Sequence, residues 1–352
     1  MTKTNYNVIG VMSGTSLDGI DLAHICFKYD QIWSFNLLAV ETVSYSVKWA
    51  EILSHLVGLD AEELKITDKD YTIYLASIIN SFIDKNRIEQ LDAICSHGHT
   101  ALHQPDKGIT HQIGNLPLLA KLTNHVVVCD FRIQDVELGG QGAPLVPIGD
   151  KLLFSEYDAC INLGGFANIS FDQNTTRIAF DICPVNVVLN KYAKKKGLEF
   201  DASGAMAKVG NLNVILLDAL NAFEYYKASP PKSLGIEWVE QKIYPILDVY
   251  ECSVEDMLRT FTEHIAIQIT NNLNINANVL FTGGGTYNDF LIDRIKKLKN
   301  ITLNRPDNVL IDYKEALIFG LLGVLKLRDE INCLASVTGA SQDHCSGSIF
   351  NP

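Results

Sequence analysis

The sequence predicts an α/β protein made of two domains of similar plan, and three observations predict it. The chain has 352 residues, which is long for one core and comfortable for two. Apolar runs of strand length alternate with segments of helical periodicity. One pattern, strand then glycine turn then strand, occurs twice, around Gly14 and around Gly164.

In chain order, Val8 to Met12 and Leu22 to Phe27 are apolar and flank the polar stretch Ser13 to Gly19, which reads as a hairpin with a wide turn. Tyr71 to Asn86 reads as a helix, and Leu91 to Ser96 as a strand ending in His97-Gly98-His99-Thr100. Asp130-Phe131-Arg132 ends another strand, and Gly139 to Pro144 reads as a tight connection that fixes a helix start. The second hairpin is Ala159 to Leu163, Gly164-Gly165, then Ile169 to Phe171, followed by the apolar run Ile178 to Phe180 leading to Asp181. Helices are expected over Val185 to Lys196, Met206 to Tyr225, Val254 to Leu273 and Asp289 to Lys297, with a rigid turn at Ser229-Pro230-Pro231-Lys232. Val279 to Thr282 is a strand ending in Gly283-Gly284-Gly285. Tyr313 to Arg328 places Ala316, Phe319, Gly320, Gly323, Val324 and Leu327 at helical spacing. Two like domains imply a cleft faced by the two hairpins. The competing plan is one long doubly wound sheet.

Composition narrows the function. Apolar residues make up 47% and charged ones 20%, which suits a large core and excludes disorder. The net charge is 29 − 41 = −12, unfavourable for a nucleic-acid binder, since phosphate contacts need clustered Lys and Arg. It does not exclude a phosphate ligand held by backbone N–H groups. No run approaches the ~20 apolar residues of a membrane span, and the polar start lacks a signal-peptide core. The eight cysteines have no metal or redox spacing; Cys95, Cys129 and Cys160 lie in apolar runs and read as reduced core residues of a cytoplasmic protein.

Candidate chemistry clusters at the strand ends. Ser13-Gly14-Thr15-Ser16-Leu17-Asp18-Gly19 has the glycines, hydroxyls and N–H groups a nucleotide phosphate needs, and Asp18 and Asp21 suit Mg²⁺ held through its waters. It is neither a Walker A loop nor a Rossmann fingerprint, and an ordinary hairpin turn is the bland alternative. Gly283-Gly284-Gly285 suits a nucleotide at a helix N-terminus or, more plainly, a loose turn. Asp181, at the end of a strand, suits a general base or a helix cap. His97, His99 and His103 lack partners at zinc spacing, so polar ligand contact is the better reading. Arg132 suits a carboxylate or phosphate, or an ion pair with Asp130 or Asp135. Glu315, early on its helix, is a surface acid or a cleft acid.

The motifs resemble those of the anhydro-N-acetylmuramic acid kinases of peptidoglycan recycling. The resemblance rests on Gly10 to Asp21, Gly98-His99-Thr100 with His103-Gln104-Pro105, Gln112 to Asn115, Asp130-Phe131-Arg132, Gly139 to Pro147, Asn162 to Asn168, Pro231-Lys232-Ser233, Gly283 to Asn288 and Ser336 to Ser341. These motifs occur in the family's order over most of the chain. The resemblance implies the actin-like ATPase (ribonuclease H-like) fold of sugar kinases and heat-shock ATPases, with domains at 1–155 plus 316–352 and at 156–315 and a nucleotide cleft between them. It implies ATP on Gly14, Thr15, Ser16, Leu17, Asp18, Gly19, Ile20 and Asp21, with Gly164, Gly165, Asn168, Gly283, Gly284 and Gly285. Mg²⁺ is expected near Asp18 and Asp21. A sugar is expected near Gly98, His99, Thr100, Arg132 and Glu315, with Asp181 as base. No nucleic-acid or membrane partner is expected; a homodimer is left open.

The sequence departs from the family's pattern at two places. Asp181-Ile182-Cys183-Pro184-Val185-Asn186 replaces the usual Asp-Thr-Gly-Pro-Gly-Asn, and Ser233-Leu234-Gly235-Ile236-Glu237 replaces Ser-Thr-Gly-Arg-Glu. Those changes keep two alternatives in view, another sugar kinase of the same fold and a catalytically weak ATP-binding sensor.

Overall fold

The structure is a computed structural model that describes residues 3–14 and 17–352. The chain divides into two compact units, Met1–Leu153 with Tyr313–Pro352, and Phe154–Asp312.

In the first unit, β1 (Asn5–Ser13), β2 (Ile20–Asp30) and β3 (Ile32–Val43) form an antiparallel meander. Strands β4 (Ala93–Gln104) and β6 (Val127–Cys129) extend the sheet in parallel from β1, while β5 (Ile109–Ile113) pairs antiparallel with β4. The strand Ser348–Phe350 closes the far edge. A helix Ala61–Asn86 covers one face with Tyr71, Leu75, Ile79 and Phe82, all buried; each such side chain is worth about 1.5–3 kcal/mol of burial. Its start is a capping box: Asp60 accepts from the Glu62 and Glu63 amides, and the Asp60 amide donates to Glu63 Oε2. The helix Asn308–Leu327 approaches the sheet closely. A Cβ on Gly10 would overlap the Ala316 carbonyl, and one on Gly323 would overlap Cys95 Sγ.

The second unit repeats the plan. Strands β7 (Ala159–Leu163), β8 (Phe166–Gln173) and β9 (Thr176–Pro184) form the meander. Strands β10 (Asn278–Thr282) and β11 (Thr302–Asn304) continue in parallel from β7. The order β11-β10-β7-β8-β9 matches β6-β4-β1-β2-β3 of the first sheet. A meander followed by parallel strands, in both sheets, is the ribonuclease H-like plan and not one continuous sheet. The core joins β7 to β10 with the helices Val254–Asn271 and Asp289–Leu298, through Phe261, Ile265, Leu291 and Ile295.

Several elements differ from expectation, beginning with the helix expected over Tyr71 to Asn86, which starts at Ala61. The strand expected over Leu91 to Ser96 begins at Ala93 and continues through the polar motif to Gln104, because β5 satisfies its backbone. The single helix expected over Met206 to Tyr225 is broken into Ala205–Val209, Val214–Asn221 and a short turn Glu224–Lys227. Gly210 ends the first piece, so close to Glu255 that a Cβ would overlap that residue's carbonyl, and Asn213 caps the next by accepting from the Leu216 amide at 3.0 Å. Strands β3, β5, β11 and Ser348–Phe350 have no counterpart among the expected elements.

Candidate active site

In the first unit the glycine-containing loop leaves the end of β1 and returns at β2. Thr15 and Ser16 lie outside the described residues. Of the rest, Gly14 is half-buried, Leu17 adopts φ +61°, Asp18 is exposed and Ile20 is buried. A Cβ on Gly19 would lie 2.7 Å from the Val43 carbonyl oxygen, so the loop needs glycine there for packing alone. Asp21 Oδ1 accepts from Thr42 Oγ1 at 2.6 Å.

The root of the loop is a polar knot. Ser13 Oγ lies 2.9 Å from His99 Nδ1, 2.9 Å from the Tyr71 hydroxyl and 2.5 Å from that of Tyr45. Desolvation lowers the His99 pKa to about 4, so the ring is neutral at physiological pH. Gly98 has φ +71°, and a Cβ there would lie 2.7 Å from Ile113 O; the glycine serves the strand geometry. Thr100 pairs with Gln112 across β4 and β5.

Arg132 is fixed by neutral acceptors. Its Nε donates to His97 Nε2 at 2.9 Å, and its Nη1 donates to Gly142 O at 2.6 Å. His97 Nδ1 donates to Gly98 O at 2.8 Å, which leaves Nε2 free to accept. Burial first, then the Arg132 charge, hold the His97 pKa well below its usual value. Burial lowers the Arg132 pKa to about 10, against the opposing pull of Glu315. No hydrogen bond or ion pair joins Arg132 to Asp130 or Asp135 among the described residues. Asp130 instead accepts from Asn115 Nδ2 at 3.0 Å. Glu315 retains solvent access but is closely surrounded by protein. That desolvation raises its carboxyl pKa, while Arg132 pulls it down and Asp21 pushes it further up. Asp21, Arg132 and Glu315 therefore share one electrostatic neighbourhood.

In the second unit, strand register builds a polar row. Thr282 of β10 pairs with Asn162 of β7, Asn162 with Asn168 of β8, and Asn168 with Asp181 of β9. Residues directly opposite one another in register share a face, so four polar side chains line up across four strands. Asp181 Oδ2 accepts from the Leu234 amide at 2.9 Å, and its carbonyl accepts from the Tyr225 hydroxyl at 2.6 Å. Burial raises its pKa and the Leu234 hydrogen bond opposes the rise. It does not cap the next helix, whose N-cap is Val185 without a side-chain bond.

The row ends at the triple glycine. Gly283 has φ +82°, and a Cβ there would lie 2.6 Å from Asn162 Oδ1; one on Gly285 would lie 2.9 Å from Leu163. Gly284 alone has no atom within 4 Å of its Cβ position. Beside it lies a cavity of about 270 Å³ lined by Asn186, Phe200, Asp201, Gly284, Gly285 and Tyr287, among others. Gly164 and Gly165 form the turn between β7 and β8, and a Cβ on Gly165 would lie 2.9 Å from Val187.

The family profile described as anhydro-N-acetylmuramic acid kinase matches residues 6–352. The chain belongs to this family. It is similar to the anhydro-N-acetylmuramic acid kinase of Mannheimia succiniciproducens, 33% identical with 99% of this chain and 100% of the relative covered. It is likewise similar to that of Pseudomonas fluorescens, 34% identical over 97% and 98%. Among solved structures it overlaps the activator of 2-hydroxyisocaproyl-CoA dehydratase from Clostridium difficile with bound ADPNP, at TM-score 0.42 and 13% identity over 92% and 96% of the two chains. Asn162 and Thr282 were not among the expected site residues, although an asparagine inside the apolar run ACINL is a legible signal. Phe200, Asp201 and Tyr45 gave none, because only tertiary folding brings them to these places. No helix of the described residues is long and apolar enough to cross a membrane.

Proposed function

We propose that the chain is an ATP-dependent kinase that opens 1,6-anhydro-N-acetylmuramic acid and phosphorylates O6, giving N-acetylmuramate 6-phosphate and ADP. The observation that carries the reading is Asp181, a desolvated carboxylate oriented by one backbone amide in a chain of this family. In the proposed reaction, Asp181 takes a proton from water as the water oxygen bonds to C1. The C1–O6 bond breaks and O6 bonds to the γ-phosphorus of ATP, releasing ADP. The phosphoryl group replaces the proton that a glycosidase would need on the leaving oxygen.

The nucleotide is assigned to the loop Gly14 to Asp21, including Thr15 and Ser16, and to Gly164, Gly165, Asn168 and Gly283 to Gly285. Support comes from the open side of Gly284 and the adjoining cavity, close to the ~300 Å³ at which small-ligand clefts begin. Asp18 and Asp21 offer the hard oxygen donors Mg²⁺ takes, and Mg²⁺ bound there would supply charge neutralisation for phosphoryl transfer. Gly98, His99, Thr100, Arg132 and Glu315 are assigned to the sugar, Arg132 being suited to its lactyl carboxylate. The reaction is placed in the cytoplasm.

The test follows ADP release with and without anhydro-sugar in ¹⁸O-water. The reading expects sugar-stimulated release and label at C1; phosphorylation without label refutes it. Asp181→Asn is expected to bind ATP yet lose about 10²–10⁴-fold in turnover, and near-normal turnover removes Asp181 from the role.

A further inference from the structure

Away from these residues, three metal-ligating side chains converge in the interior of the first unit. Cys333 and His344 face each other across an isolated antiparallel bridge, each amide donating to the other's carbonyl at 3.1 Å. Asp135, on the short helix Ile133–Glu137, meets them from the other side. Relative exposures are 0% for Asp135, 1% for Cys333 and 5% for His344. Cys333 Sγ lies 3.1 Å from Asp135 Oδ1, and His344 Nε2 lies 3.6 Å from the same oxygen. The three ligand atoms all fall within 4.8 Å of one another.

The histidine gives the cluster its meaning. His344 Nδ1 lies 3.1 Å from the Gln342 carbonyl, which can only accept, so Nδ1 carries a hydrogen and Nε2 is the nitrogen turned to the cluster. Nε2, buried, has no hydrogen-bond partner and presents its lone pair toward a carboxylate. Two acceptors aimed at one another out of reach of water repel unless a proton or a metal cation lies between them, and the thiol beside them makes a metal the better fit.

We propose that Asp135, Cys333 and His344 bind a divalent cation of the zinc class. A tetrahedral zinc with bonds of about 2.0–2.3 Å sets its ligand atoms about 3.3–3.6 Å apart; the edges to Asp135 Oδ1 are 3.1 and 3.6 Å and the third lies within 4.8 Å, so small side-chain shifts would close the set around an ion. The mixed thiolate, imidazole and carboxylate set selects zinc over Mg²⁺ or Ca²⁺. On binding, the Cys333 S–H bond is lost: its proton goes to solvent and the sulfur lone pair goes to the metal. An outer shell is in place. The Gln342 carbonyl orients the imidazole, the Gly142 amide donates to Asp135 Oδ2 at 2.7 Å, and Thr338 Oγ1 donates to Oδ1 at 2.6 Å. Gly142 also accepts from Arg132 through its carbonyl, so the ion would brace the turn that holds Arg132. The proposal does not depend on the assigned reaction.

The full-length protein, purified from zinc-supplemented cells, is expected to carry about one zinc per chain by elemental analysis. Stripped with a chelator, it takes up Co²⁺ with a thiolate-to-cobalt absorption band. Cys333→Ser abolishes that band, and His344→Gln loses the stoichiometric metal, with circular dichroism reporting the fold of each. Wild-type protein that carries no zinc and takes up none on titration overturns the proposal, whatever the variants do. It is equally overturned if both variants fold and keep wild-type metal content, because the ion then lies elsewhere. A metal-free protein in which His344→Gln merely lowers stability identifies a His344–Asp135 ion pair and also overturns it.

Discussion

The triple glycine offers a prediction in which two adjacent substitutions have opposite consequences. In Gly285→Ala the new methyl lies 2.9 Å from both Leu163 Cβ and Leu163 O, well inside the ~3.5–4.0 Å of an unstrained carbon contact. Overpacking of this kind costs about 1–3 kcal/mol, offset by ~0.4–1 kcal/mol from the stiffer unfolded chain. A net loss of about 1–2 kcal/mol lowers Tm by roughly 3–8 °C in a folding unit of this size. In Gly284→Ala the methyl meets no protein atom within 4 Å, and Gly284 is not in the left-handed region. Only the unfolded-chain effect remains, so Tm holds or rises by about 1–3 °C. If a nucleotide approaches the backbone there, the same methyl displaces it, and the KM for ATP rises by about tenfold or more, corresponding to ~1.4 kcal/mol. Calorimetric unfolding and ATP-dependent initial rates on both variants decide the matter. A Gly284→Ala protein that melts as early as Gly285→Ala refutes the packing argument, and one with an unchanged KM for ATP refutes the nucleotide assignment.

Two further predictions concern charge. In the proposed reaction Asp181 acts ionised, and its pKa is raised by burial, so the acid limb of kcat/KM is expected above the ~3.9 of an ordinary aspartate; a limb at or below that value contradicts the role. By linkage the raised pKa gives stability that is present at low pH and lost as pH rises through the folded value, so Asp181→Asn should melt higher than the wild type at neutral pH. Glu263, 4% exposed, receives Arg294 at 2.6 and 2.7 Å and Arg259 at 2.7 Å. Burial pushes its pKa up, but the two arginines more than offset this and hold it low. Glu263→Gln leaves two half-buried guanidiniums without their counter-charge, and urea unfolding should show a loss of about 3 kcal/mol. The deficit should shrink as pH falls through the depressed Glu263 pKa; a deficit independent of pH would deny the ion-pair origin.

The parts of the fold that were legible in the sequence are those where apolar strands bracket glycine: β1 with β2, β7 with β8, and β10 before Gly283. Strand β3 was hidden because it is an edge strand that pairs only with β2 and fully buries a single side chain, Trp33, so it lacks a continuous apolar run. The end of β4 was misread for the opposite reason. His97 and His99 enter a buried hydrogen-bonded network, while Thr100, His103 and Gln104 are half-buried or exposed and are held extended by pairing with β5, so none of this stretch carries a hydrophobic signature. The site divides the same way. Asp181 stands out as an acid closing an apolar run, whereas its alignment with Asn168, Asn162 and Thr282 depends on strand register, including the bulge between Ala167 and Asn168. The ion pair of Arg132 with Asp130 or Asp135 is not formed; its hydrogen-bond partners are the neutral His97 and Gly142, which no sequence spacing marks.

The two departures from the family pattern can be weighed by what they touch. Ile182, Cys183 and Val185 are 1%, 0% and 0% exposed and belong to the core of the second unit. Side chains larger than the family's usual Thr and Gly there are accommodated by packing and do not project into solvent. At the other segment, the residue in contact with Asp181 is Leu234, and it acts through its backbone amide. Any residue except proline supplies that donor, so replacing the usual threonine keeps the group that orients the carboxylate. A hydroxyl at 234 and a guanidinium at 236 are absent, and they are exposed to rescue. If the loss matters to the reaction, Leu234→Thr with Ile236→Arg should lower the KM for sugar or ATP without moving the acid limb set by Asp181. A shifted limb would mean that the segment tunes the base itself, contrary to the backbone argument.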